Sequence, residues 1–315
     1  MSTLATTTDR QPPSVDEIVS GIGTSARRLL SDPASFRIVV TSEGTVVHGP
    51  KELRRVPCRE ILAHKGDNWF VQAQLVEASD DPETGYDVRL YVAKGPKVLN
   101  WLRSYSQAVV TPFEDGWNIF SYWDYVRQLG YDVNRQIAAS CGADYDRVRN
   151  SDVLNPDLDH PLLPGFLEAH RQNYTVLPEA ETVDGHRCWV VEWPAMDRLW
   201  IDSQCGFTIR RRAYHWAPDK PLRCEIFQRD FRQVRPGLWI AWEQTVDRYA
   251  NVATTSPRRW GTVDLRTTCV LEEIEFDTVA DELFEIPLPV GTFVVDRFRE
   301  SHFKVTETGK PFDVF

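Results

Sequence analysis

Residues 185–216 read GHRCWVVEWPAMDRLWIDSQCGFTIRRRAYHW, and the fold is decided on this stretch. It holds three short runs of alternating residues separated by turn signals, the pattern of consecutive antiparallel strands. Cys188 to Trp193 ends at Pro194, Leu199 to Ser203 ends in the Gln204-Cys205-Gly206 turn, and Phe207 to Trp216 forms the third run. Alternation puts Phe207, Ile209 and Ala213 on one face, with Arg211 as the exception among them. It puts Thr208, Arg210, Arg212 and Tyr214 on the other.

The same texture extends in both directions. Downstream, Leu222–Phe231, Leu238–Tyr249 and Arg259–Phe276 read as strands. In them Leu222, Cys224 and Ile226 oppose Arg223, Glu225 and Arg229, and Val263, Leu265, Cys269 and Leu271 oppose Asp264, Arg266 and Thr268. One face is mostly apolar; the other is a ladder of alternating charge, read as a solvated outer face whose cross-strand pairs contribute ~0.2–1 kcal/mol each. Pro287 and Pro289 make the segment from Phe284 to Asp296 an edge or crossover. Residues 301–315 read as a charged tail.

Upstream, Phe36–Thr41, Cys58–His64, Trp69–Glu77, Tyr86–Val92 and Val98–Val110 form a first meander, with short turns at 65–68, 81–85 and 94–96. The link from Thr45 to Arg55, with Pro50 inside it, reads as an excursion along an edge. Before this meander, Ser14-Val-Asp-Glu17 is a capping box, and Val15, Ile18, Val19, Ile22, Ala26, Leu29 and Leu30 recur at helical spacing until Pro33. Gly21 and Gly23 cost that helix ~1 kcal/mol each against alanine, so packing on the sheet must stabilise it. Residues 1–13 read as a disordered tail. Between the meanders, residues 117–170 read as a helical insertion. It comprises a helix over Tyr122–Ala139, a polar loop over Asn150–His160 and a short helix from Pro164 to His170, together covering one face of the sheet.

The 315 residues are 42% hydrophobic and 11% aromatic, with 11 Trp, enough for a substantial core. A net charge of −10 argues against nucleic acid and anionic membrane as partners, since phosphate binding needs clustered Lys and Arg. No run of about eighteen apolar residues exists to span a bilayer. The opening MSTLATTTDRQPP lacks the basic and apolar regions of a secretory signal. The six cysteines, at 58, 141, 188, 205, 224 and 269, are far apart without a C-x-x-C pair, and read as small hydrophobes.

Chemistry-bearing motifs are scarce. G-x-S-x-G, P-loop, G-x-G-x-x-G, H-E-x-x-H and EF-hand patterns are all missing. The nearest metal signature is Asp157-x-Asp159-His160 in a proline-flanked loop, where an acidic loop without an ion is the plainer reading. Asp247 and Asp264 could do acid–base work, but Arg248 and Arg266 interleave with them as outer-face ion pairs would. Nothing calls for a cofactor. Trp101, Trp123, Trp189, Trp193, Trp239 and Trp242 are read first as core, with a partly filled cavity as the other possibility.

Several segments together resemble the LolA/LppX-like lipoprotein-carrier superfamily, in particular large bacterial members with an extra helical segment. They are Tyr174-Thr-Val, Val183-Asp-Gly185, Cys188-Trp-Val-Val191, Asp197-Arg-Leu-Trp-Ile-Asp202 and Gly206-Phe-Thr-Ile-Arg-Arg211. Gly237-Leu-Trp-Ile240, Phe284, Leu288-Pro-Val-Gly-Thr292 and Val295-Asp296 follow. These motifs mark turns and strand starts rather than a reaction, and they place one domain over residues 14–300. The resemblance implies an α+β fold: a strongly curved antiparallel sheet, an incomplete β-barrel, with helices covering its concave face. It also implies a cell-envelope setting, from which this chain departs in showing no signal peptide.

The expectation is non-enzymatic binding of a hydrophobic small molecule or lipidated protein between sheet and helices. Trp101, Trp123, Val126, Phe207, Ile209 and Ile226 would line the site. Two other readings stay open: a protein-interaction module on the same fold, and an enzyme with dispersed residues around Asp157–His160.

Overall fold

The capping box forms as its residues dictate. In the computed structural model, which describes residues 11–30, 33–48, 51–54, 57–75, 89–94, 97–102, 106–112, 167–168, 170–215, 218, 220–250, 261–297 and 299–306, the Glu17 amide donates to Ser14 Oγ at 3.1 Å. The Ser14 amide donates to Glu17 Oε2 at 2.7 Å. Both bonds satisfy donors at the start of helix α1 (Val15–Leu30), and the Ser14 groups hold the Glu17 carboxyl below its usual range. The predicted stripe is the buried one: Ile18, Val19, Ile22 and Leu29 all face inward.

From Ser35 the period becomes two. The first meander is β1 (Ser35–His48), β2 (Lys51–Arg54), β3 (Cys58–Lys65), β4 (Asn68–Leu75), β5 (Arg89–Lys94), β6 (Lys97–Leu102) and β7 (Gln107–Pro112). The run Val98–Val110, which reads as one strand, is a hairpin with Leu102 opposite Gln107. Its turn passes through Ser106 at φ 46°, a serine in the left-handed region, and so carries no glycine or proline to mark it. The second meander is β8 (Thr175–Val176), β9 (Glu181–Val183), β10 (His186–Trp193), β11 (Asp197–Asp202), β12 (Thr208–His215), β13 (Leu222–Arg235), β14 (Leu238–Tyr249) and β15 (Val263–Phe276). Two short strands close the chain, β16 (Phe293–Asp296) and β17 (Ser301–Lys304). The last of these falls where the sequence reads as tail.

One long pairing joins the meanders. β15 runs antiparallel to β1 from Phe36↔Phe276 to Val46↔Leu265, and β1 pairs on its other side with β3. The sheet therefore runs from an edge at β8 and β9, through β10 to β15, across β1 to β3 and on to β7, and ends at β16 and β17. Among the described residues all pairings are antiparallel except β7 with β16, which is parallel. The two edges do not pair with each other among these residues, and the described sheet is open. Register shifts at Val39/Val40, Trp200/Ile201, Tyr214/His215, Gln233/Arg235 and Arg248/Tyr249 are β-bulges, which bend strands and curve the sheet.

Among the described residues the fold is mostly β with a single α-helix, a smaller helical share than the α+β expectation. The helix expected at Tyr122–Ala139 lies outside the described residues, as does most of the 117–170 insertion. Of that segment, Leu167 is helical and packs into the core beneath α1.

The pairings sort the two faces. On the face that carries α1, here the inner face, Val191, Leu199, Arg212, Ile226, Val246 and Thr267 stand in one row of direct cross-strand partners. This corrects the alternation drawn from the sequence. Trp200 pairs with Arg211 while Ile201 pairs with Ile209, so Arg210 is the extra residue of a bulge and the faces exchange across it. Arg212 and Tyr214 are buried on the inner face, Arg210 is buried against Asp202, and Arg211 turns outward with Ala213. The outer ladder holds in the neighbouring strands. Arg211 donates to Glu225 at 2.8 and 2.5 Å, and Arg266 grips Asp247 at 2.6 and 2.7 Å. Arg37–Glu273 and Arg59–Glu272 continue it at 2.7 and 2.8 Å.

The first meander is buried on both faces. Its inner face holds Phe36, Ile38, Leu62, Trp69, Val71 and Val98. Its outer face holds Phe70, Val92, Leu99, Trp101 and Val110, covered by Val279, Phe284, Ile286 and Leu288. Prolines 287 and 289 keep that covering segment out of any ladder, leaving it free to lie across the strands.

Candidate functional site

The second meander's inner face is where a helix, a strained turn and a crevice meet. The turn is built by Asp202, whose Oδ1 accepts from the Gln204 and Cys205 amides at 2.9 and 3.3 Å. Gly206 (φ 71°) and then Phe207 (φ 61°) follow in the left-handed region. For phenylalanine that conformation costs on the order of 1–3 kcal/mol, so its surroundings must hold it. Helix α1 does so. A Cβ placed on Gly21 would lie 2.3 Å from Phe207 Cδ2; the missing side chain is the slot for the ring. Ser25 Oγ donates to the Gly206 carbonyl at 2.8 Å, and Arg28 Nη1 donates to the Gly237 carbonyl at 3.0 Å. The helix that two glycines weaken is thus placed by one of them. Gly21→Ala is expected to lower the melting temperature by several degrees, and Phe207→Ala in the same chain to recover much of the loss; additive losses in thermal melts would refute the slot.

Beside this contact lies a crevice walled by Ile22, Ser25 and Leu29 of α1, by Phe207, Thr208 and Ile209, and by Phe231, Trp239 and Ile240 of the next two strands. It encloses about 40 Å³, room for a few waters and far below the roughly 300–1,000 Å³ of a ligand pocket. In this state α1 fills the groove. Around it, Ile18, Val19 and Ile22 pack on Val191, Leu199, Ile201 and Ile209.

This end of the sheet also carries buried charge, held in two ion pairs. Arg210 Nε donates to Asp202 Oδ2 at 2.8 Å, and its guanidinium lies 4.7 Å from the Phe231 ring. Arg212 holds Asp197 in two bonds of 3.0 and 2.8 Å, while the Tyr174 hydroxyl donates to the same carboxylate at 2.7 Å. Burial pushes the Asp202 carboxyl up, but the Arg210 guanidinium and the turn amides outweigh it and hold it below the usual range. Burial also pushes the Cys188 and Cys224 thiols up to about 12, so they are packed as neutral groups; the five described cysteines form no disulfide.

The residues expected to line a site separate. Phe207 and Ile209 are in the crevice. Ile226 shares the inner face but packs with Tyr214, Cys224 and Val246. Trp101 is on the opposite face, because its partners Leu90 and Ala108 belong to the outer-face core under the Val279–Leu288 segment. Trp123, Val126 and the Asp157, Asp159, His160 loop lie outside the described residues. Sequence reading missed Gly21 and Phe231; a glycine costing a helix stability, repeated in a buried stripe, was the available signal for the first.

No protein-family model matches the chain, and no curated protein does. Solved structures similar to it include a DUF1329 family protein from Desulfovibrio piger, 14% identical over 86% of this chain and 97% of that one, with a TM-score of 0.44. An outer membrane lipoprotein-sorting protein domain from Vibrio parahaemolyticus is 9% identical over 86% of this chain and 95% of its own, also at 0.44. LprF from Mycobacterium bovis is 11% identical over 89% and 98%, at 0.28. These TM-scores are below 0.5, and the site's reading rests on its own geometry. Among the described residues no helix is long and apolar enough to cross a membrane.

Proposed function

We propose that this protein is a non-enzymatic carrier of a hydrophobic ligand, a lipid or the acyl chain of a lipidated protein, held between α1 and the inner face of the curved sheet. The observation that carries the reading is how α1 is attached. A helix with an apolar stripe lies on an apolar sheet face, anchored near its middle by one ring in a glycine slot and in its C-terminal half by two side-chain hydrogen bonds to turn carbonyls. Such a helix can be displaced by an acyl chain that buries the same surface, which returns about 25 cal/mol for each Å² covered. The 40 Å³ crevice is then the closed state of the groove. The lipoprotein-sorting description of the Vibrio neighbour is in keeping with this reading and does not carry it.

A protein-docking module acting through the charged outer ladder has less support. The ladder's charges satisfy one another, and Arg210 and Arg212, which alternation would put on it, are buried in ion pairs. The carrier reading is tested on the purified full chain by native mass spectrometry with organic extraction, alongside fluorescence of the neutral dye N-phenyl-1-naphthylamine. Acyl-chain adducts, or dye fluorescence that lipid reverses, are expected; neither adduct nor dye binding would end the proposal.

A further inference from the structure

The crevice floor is not uniformly apolar. Gln228 lines it, and directly opposite on the next strand, on the same face, stands Gln244. The row continues through Cys269, Ser42 and Cys58. The flanking rows hold Ile226 and Val246 between Arg212 and Thr267 on one side, and Val40 and Leu271 beside Glu60 on the other. Gln244 has no exposure to solvent, and among the described residues neither its amide nitrogen nor its carbonyl oxygen has a hydrogen-bond partner. Thr208, a residue of the crevice wall, likewise has its Oγ1 buried without a partner among them. A buried amide that bonds to nothing destabilises the fold, and an apolar side chain of similar shape would serve packing better.

The groups nearby narrow what could satisfy it. Arg212 is committed to the buried carboxylate Asp197, so an anionic head at this end would meet a carboxylate whose cation is already taken. A primary amide offers a donor and an acceptor side by side, which suits a ligand group that both accepts and donates.

We propose that Gln244, with Gln228 and Thr208, forms the polar subsite of the ligand groove, and that the cargo carries an uncharged hydrogen-bonding group at the end of its acyl chain, an ester or amide carbonyl with a neighbouring hydroxyl. This rests on the carrier reading. Monoolein and oleate share an acyl chain and differ in the head, so displacement of N-phenyl-1-naphthylamine by each from the full chain near neutral pH separates head from tail. Monoolein is expected to displace the dye at roughly tenfold lower concentration than oleate. Gln244→Leu is expected to raise the monoolein concentration needed about tenfold, the scale of one or two lost hydrogen bonds, with dye and oleate binding unchanged. The unliganded Gln244→Leu protein should also melt a few degrees higher, because the orphaned amide is gone; a residue kept only for structure would melt lower. Wild-type monoolein binding in Gln244→Leu, or a lower melting temperature with binding intact, would overturn the subsite and leave the carrier standing. A wild-type chain that binds neither dye nor lipid overturns both.

Discussion

Replacing Asp197 by alanine is expected to destabilise the protein by about 3–5 kcal/mol, in denaturant unfolding monitored by tryptophan fluorescence. The cost comes from the guanidinium left behind. Arg212 and Asp197 are each only 4% exposed, they meet in two hydrogen bonds of 3.0 and 2.8 Å, and the Tyr174 hydroxyl completes the carboxylate at 2.7 Å. Removing the carboxylate strands a cation where water cannot reach it, and orphans a buried phenol as well. The pair itself is a weaker stabiliser than that loss suggests, because bringing both ions out of water is costly. The double replacement Asp197→Leu with Arg212→Met is therefore expected to recover most of the loss, since neither charge remains and the volume is roughly kept. A loss under about 1 kcal/mol for Asp197→Ala would mean that the pair is hydrated after all. A double variant as unstable as the single one would mean that its packing, not its charge, matters.

How much of this was legible in the sequence divides along physical lines. Strand existence was, because alternation over six to fourteen residues between turn signals has few other readings; the capping box and the buried stripe of α1 were read residue by residue. What local pattern cannot carry is phase across a bulge. One extra residue, Arg210, moved Arg212 and Tyr214 from the solvent face to the buried one, and nothing in TIRRRAY marks the insertion, since the bulge is seen only against the partner strand. Trp101 was misplaced for a related reason. Its strand is apolar on both faces, so hydrophobicity does not say which side it takes. The parallel pairing of β16 with β7 joins residues some two hundred positions apart, and no short-range signal reports it. Of the expected lining, Phe207 and Ile209 fell in the crevice because the Gln204-Cys205-Gly206 turn was recognised and places them.

The stability of the wild-type chain is expected to fall as pH rises from about 4.5 to about 8, and Glu60→Gln to abolish that fall. Glu60 stands on the inner face of β3 between Val40 and Ala73, is 8% exposed, and has no hydrogen bond or ion pair among the described residues. Burial alone pushes its carboxyl up to about 8. The Cys58 and Cys269 thiols, raised to about 11 and about 12 chiefly by their own burial, feel its charge as well. Between the two pH values the folded chain keeps the Glu60 proton and the unfolded chain releases it. The unfolded state then binds fewer protons, and stability declines with rising pH; below about 4.5 both states are protonated, and above about 8 both are ionised, so the contribution is flat outside the window. At about 1.4 kcal/mol per pH unit the whole window is worth on the order of 5 kcal/mol. His64, whose pKa burial lowers, adds the opposite slope near its own range, but it does so in both proteins and cancels from their difference. Glu60→Gln should therefore match the wild type near pH 5 and exceed it near pH 8 in thermal melts. Parallel curves would show that water or a cation reaches the carboxyl. The predicted behaviour would mean that near neutral pH Glu60 presents a neutral acid to the inner face, which leaves the rows around it compatible with hydrocarbon.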